Sequence, residues 1–82
     1  MMKLRVHEVG NGFYPLEVLV EIKATGGGKK MLIDRRSLEN GTFVSVGSPI
    51  ADRDGNFLVE LPRETTVGEW RVWVPSDQIA AG

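Results

Sequence analysis

The chain has no cysteine, one histidine and one tyrosine. Without cysteine there are no disulfides, no thiolate metal ligands and no cysteine nucleophile. Small secreted domains usually need such cross-links, so a reducing compartment, and hence a cytoplasmic location, is expected. The opening stretch MMKLRVHEVG has no apolar run of secretory-signal length. Nothing approaches the ~18 consecutive apolar residues of a membrane-spanning helix, so no membrane association is expected. The paired Met1-Met2 reads as an extra start residue ahead of a natural start at Met2.

A surplus of positive charge is also missing. Ten Lys and Arg face eleven Asp and Glu, for a net charge of −1. Nucleic-acid binders draw much of their affinity from neutralising phosphates, so a nucleic-acid partner is not expected. The paired basic residues Lys29-Lys30 and Arg35-Arg36 are interleaved with Asp34, Glu39, Glu60 and Glu64 and read as a solvated, salt-bridged surface. With 82 residues, 41% of them hydrophobic, the chain is read as a single globular domain spanning residues 1–82.

Helical periodicity is scarce; turn and strand signals are not. Asn11-Gly12, Asn40-Gly41 and Asp54-Gly55 are dipeptides that tolerate the positive φ of tight hairpins. Gly26-Gly27-Gly28 and Thr65-Thr66-Val67-Gly68 mark two further turns. Between them the period is two. Residues 16–24, LEVLVEIKA, place Leu16, Val18, Val20 and Ile22 on one face. The same alternation assigns Leu4, Val6, Met31, Ile33, Val44, Val46, Phe57, Val59 and Leu61 to the interior. In the last predicted strand, 69–74, Trp70, Val72 and Val74 share a face. DRRSLENG offers either one helical turn capped by Asp34 and closed by Gly41, or a continued strand. Six or seven short antiparallel strands make an all-β domain, either a small sandwich or a partly open barrel.

Two local likenesses bear on that choice. ADRDGNFLVELPRETTVGEWRVWV, residues 51–74, resembles the closing hairpins of carboxypeptidase-regulatory-like and transthyretin-like sandwiches, with Asp-x-Asp-Gly-x-Phe at 52–57 and Gly68 ahead of an aromatic. VWVPSDQI, residues 72–79, is similar to the last strand and 3₁₀ turn of SH3-type barrels. That fold needs one more strand, and only Ala80-Ala81-Gly82 follow Ile79. Its signature tyrosines are also missing, Tyr14 being the only one present. The balance favours the sandwich.

No catalytic pattern stands out. His7 falls on an outward face beside Glu8, and no serine sits in a Gly-x-Ser-x-Gly elbow. Asp52-x-Asp54-x-Asn56 starts like a calcium loop. Counted from Asp52, however, the sixth and twelfth positions hold Phe57 and Arg63 rather than Gly and Glu. GGGKK joins two predicted strands and lacks the spacing of a phosphate loop. Asn40-Gly41-Thr42 matches a glycosylation sequon and reads as a turn. No enzyme activity, metal or cofactor is expected.

What remains is Trp73. With Trp70 assigned to the core, Trp73 projects from the opposite face with Arg71, and Leu58 and Leu19 interrupt the polar faces of neighbouring strands. Burying an indole removes about 150–250 Å² from water, a gain of several kcal/mol at ~25 cal/mol per Å². Trp73 therefore caps an open core edge, forms a protein contact, or offers a stacking platform for carbohydrate or single-stranded nucleic acid. Trp73, Arg71, Leu58 and Leu19 are the candidate contact residues, for a protein partner or self-association first and a small ligand second. Pro62 and Pro75 at strand ends favour contact through faces over strand addition.

Overall fold

The computed structural model describes residues 2–81. Met1, the first of the paired methionines, and Gly82, the last residue after Ile79, lie outside the described residues. The architecture is all-β and antiparallel, built of three three-stranded sheets around one core. In chain order the strands are β1 (Met2–Arg5), β2 (His7–Asn11), β3 (Glu17–Ala24), β4 (Gly27–Asp34), β5 (Phe43–Val46), β6 (Ala51–Arg53), β7 (Asn56–Glu60), β8 (Arg71–Pro75) and β9 (Ile79–Ala81). The sheet orders are β5-β1-β9, β2-β3-β4 and β6-β7-β8. Three-residue 3₁₀ turns occupy Arg35–Ser37 and Ser76–Gln78.

Corners in the chain carry it from sheet to sheet. At Val6 the first predicted strand breaks, because Val6 N–H donates to the Thr42 carbonyl (2.8 Å) and β2 turns off toward β3. Residues 47–50 separate β5 from β6, and the Ser76–Gln78 turn separates β8 from β9. Such bends let one core be enclosed by three short sheets. The division is finer than the expected six or seven strands, because the first is split and β6 and β9 are three-residue additions. β9 corrects one premise. Three residues after the 3₁₀ turn suffice for a further strand, with Met2, Lys3 and Leu4 opposite Ala81, Ala80 and Ile79.

The core follows the period-two reading. Leu4, Val6, Val18, Val20, Ile22, Met31, Ile33, Val44, Val46, Val59, Leu61, Val72 and Val74 are buried, with Met2, Leu38, Phe57 and Ile79 packed against them. Two assigned residues fall outside: Leu16 is 47% exposed and Trp70 53% exposed. Each lies one residue ahead of its strand, where the alternation has not begun.

The turns show where the local code held. Asp54 (φ 52°) and Gly55 (φ 80°) form the two-residue hairpin between β6 and β7. Asn11-Gly12 does not act this way. Asn11 belongs to β2, and a five-residue loop closes with Gly12 N–H on the Glu17 carbonyl (2.8 Å). Asp34 does cap the Arg35–Ser37 turn, accepting from Arg36 N–H at 2.8 Å. That turn ends at Leu38, before Gly41.

Candidate functional site

Thr65 decides where the two tryptophans go. It is the buried polar residue of the chain's described part, and it closes the 65–69 loop on itself. Thr65 N–H donates to the Glu69 carbonyl (2.7 Å), its Oγ1 accepts from Glu69 N–H (3.1 Å), and its carbonyl accepts from Gly68 N–H (2.9 Å). The chain is therefore folded back through Glu69, and the Trp70 carbonyl accepts from Leu61 N–H (2.8 Å). Extended geometry starts at Arg71, and Trp70 is left on the surface. The expectation of a core Trp70 is corrected on this ground.

From Arg71 onward the alternation is regular. Val72 and Val74 are buried, while Arg71, Trp73 and Pro75 face outward. Register sets their neighbours. Leu58 on β7 pairs with Trp73 on one side and with Ala51 of β6 on the other, giving an apolar row across the sheet. Glu60 pairs with Arg71, and the two side chains meet at 3.4 Å. The Arg53 guanidinium reaches across β7 and lies over the Trp73 ring, 5.2 Å from its centroid. Such a cation–π contact is worth ~0.5–1 kcal/mol when solvent-exposed.

Beside the indole lies an open cleft of about 230 Å³, lined by Thr25, Arg53, Asp54, Asn56 and Trp73. Thr25 fixes its far wall. Its N–H donates to the Trp73 carbonyl (2.8 Å) and its hydroxyl to Asn56 Oδ1 (2.9 Å), tying the end of β3 to the third sheet. Asn56 Nδ2 in turn donates to the Arg53 carbonyl at 3.3 Å.

Of the four candidate contact residues, Trp73, Leu58 and Arg71 share this face. Leu19 does not. It lies in the β2-β3-β4 sheet, opposite Leu32 and Gly10. Six residues separate Leu19 from Thr25, about 20 Å of extended chain. Trp73 is half-buried rather than free.

Sequence reasoning missed Arg53, Thr25, Asp54 and Asn56. The Asp-Gly hairpin does set Arg53 opposite Asn56, but only the β7–β8 register brings Trp73 within its reach. It also passed over the most exposed aromatics, Phe13 (84%) and Tyr14 (72%), on the β2–β3 loop.

Chemistry elsewhere on the surface is that of ion pairs. Asp34 is held at about 2, chiefly by the hydrogen bond from the Arg36 side chain and then by that from Arg36 N–H. The Glu39 carboxyl is held below its ordinary value by Lys3 (2.9 Å) and then the Ser45 hydroxyl (3.0 Å). Among the described residues no group of three or more His, Asp or Glu is placed to hold a metal ion. No helix among them is long and apolar enough to cross a membrane. No family model, curated protein or solved structure matches the chain.

Proposed function

We propose that this chain is a non-catalytic protein-binding module that docks a short segment of a partner on the outward face of β6-β7-β8. Trp73 and Arg53 are the paired anchors, with Leu58 and Arg71 beside them. The observation that carries this reading is the guanidinium of Arg53 lying over an outward-facing Trp73. Trp and Arg are the residue types most often responsible for binding energy at interfaces, and this contact restricts both before a partner arrives.

Size favours a segment over a second copy. Three strands ~4.8 Å apart, two of five residues and β6 of three, span at most roughly 14 by 17 Å, no more than a few hundred Å². A stable dimer needs about 800 Å² from each partner. The face is therefore sized for a short segment offering an apolar side chain to the Leu58–Trp73 row. A carboxylate on that segment would answer Arg53, which makes no ion pair among the described residues. Stacking of a sugar or base stands second, because Arg53 already covers a face of the ring.

An SH3-type barrel belongs to the same proposal. β1 pairs with the final strand, β6-β7-β8 follow one another in the sheet, and a 3₁₀ turn precedes β9. The missing signature tyrosines mean that no proline-rich ligand is inferred. A cytoplasmic setting suits the cysteine-free composition.

The test is selection of displayed random peptides on the folded protein, with Trp73→Ala and Arg53→Glu as counter-targets. The expected result is an enriched set pairing an apolar residue with an acidic one, retained by neither variant. No enrichment, or enrichment that both variants keep, overturns the proposal. Circular dichroism and thermal melts of both variants separate lost binding from lost folding.

A further inference from the structure

Six of the ten Lys and Arg residues are ion-paired: Lys3, Lys29, Arg35, Arg36, Arg63 and Arg71. Among the described residues the other four, Arg5, Lys23, Lys30 and Arg53, have no such pair. Two of these, Arg5 and Lys23, line one depression of about 330 Å³ at the β1–β2 corner. The sole histidine, His7, lines it as well, with Val6, Glu21, Thr42 and Gln78. A chain of net charge −1 thus gathers two cations that have no ion pair among the described residues, and its one imidazole, around a single hollow that Glu21 also lines.

We propose that this depression binds a phosphate group carried on a small molecule. Arg5 is the centre of the site. Its guanidinium lies over the Phe43 ring, 5.2 Å from the centroid. Its N–H edges make no hydrogen bond among the described residues and stay available for two parallel bonds to an oxyanion. Lys23 adds a compact charge from β3, and Thr42 and His7 line the hollow from the 38–42 segment and β2. Donor-bearing residues that line one hollow from separate elements suit a tetrahedral anion with several oxygens better than a planar carboxylate. The backbone bond from Val6 to Thr42 fixes the corner that brings them together.

Two acidic groups stand near. Glu21 pairs across the sheet with His7, but its Oε2 lies 2.6 Å from where a Gly28 side chain would begin, so it leans toward β4 and away from β2. Asp77 accepts the Gln78 amide at 3.0 Å, which occupies one of the two N–H groups of that amide. The volume is at the small end for ligand pockets, suited to a phosphate with a small appended group.

The test is amide chemical-shift titration at constant ionic strength with pyrophosphate, inorganic phosphate, acetate and chloride. Pyrophosphate is expected to give saturable shifts at Arg5, His7, Lys23 and Thr42. Arg5→Gln and Lys23→Gln are each expected to weaken them at least tenfold, while Lys30→Gln leaves them unchanged. Trp73→Ala also leaves them unchanged, which separates this site from the docking face. Shifts reproduced by chloride, or undiminished in both weakening variants, overturn the site. Acetate binding as tightly as pyrophosphate overturns the phosphate assignment, and a single-stranded oligonucleotide binding more tightly overturns the small-molecule one.

Discussion

Arg53 covers Trp73 from two strands away, with its guanidinium 5.2 Å from the centre of the indole. Leu58 lies between them in the sheet, opposite Trp73. This arrangement leaves Trp73 less exposed than Trp70, although Trp73 points outward from a strand and Trp70 precedes it.

Iodide quenching reads the difference directly. In a Trp70→Phe background the remaining fluorescence reports Trp73, and in Trp73→Phe it reports Trp70. Trp70 is expected to be quenched more strongly. Adding Arg53→Ala to the first background is expected to raise Trp73 quenching and to cost ~0.5–1 kcal/mol in denaturant unfolding, the worth of an exposed cation–π contact. Equal quenching of both indoles in the two starting backgrounds contradicts the arrangement.

Glycine substitutions separate two physical reasons for the same residue. At Gly55 the backbone has φ 80°, so Gly55→Ala is expected to cost about 1 kcal/mol through strain. At Gly12 the conformation is ordinary, but a side chain would begin 2.8 Å from the Glu17 backbone carbon. Gly12→Ala is therefore expected to destabilise and to disturb the β2–β3 loop. Gly47 has neither constraint, and Gly47→Ala is expected to be neutral or slightly stabilising in thermal melts.

Asp34 predicts the shape of the acid limb. Its folded value of about 2 lies below the ordinary 3.8, so its ionised form is favoured by folding. That contribution is complete above the ordinary value and disappears as pH falls through about 2. Glu39, also held low, acts in the same direction. Asp34→Asn is expected to flatten the stability profile between roughly pH 4 and pH 2 and to loosen the Arg35–Ser37 turn that Asp34 caps. Urea unfolding across that range checks it, and an unchanged slope contradicts the assignment.

Much of the fold was legible in the sequence because one rule governs it. Val18, Val20 and Ile22 alternate with Glu17, Glu21 and Lys23, and only an extended chain sends those sets to opposite sides. The rule failed at Leu16 and Trp70, where hydrogen bonds outside any strand hold the backbone. Trp70 was displaced by the Thr65 loop, whose bonds are invisible to a periodicity argument. The site was half legible. Trp73, Leu58 and Arg71 follow from parity within adjacent strands, whereas Arg53 depends on the pairing of β6, β7 and β8 together. Leu19 shares the outward parity but belongs to a different sheet, and parity carries no information about which sheets adjoin.

The docking proposal meets its sharpest test in calorimetric titration of a selected peptide against two single variants. Trp73→Ala is expected to weaken binding about 30-fold or more, the loss of a central anchor worth ~2 kcal/mol. Phe13→Ala, which removes the most exposed aromatic of the chain, is expected to leave affinity within twofold. The reverse pattern, with Phe13 essential and Trp73 dispensable, would move the contact to the β2–β3 loop and contradict the account.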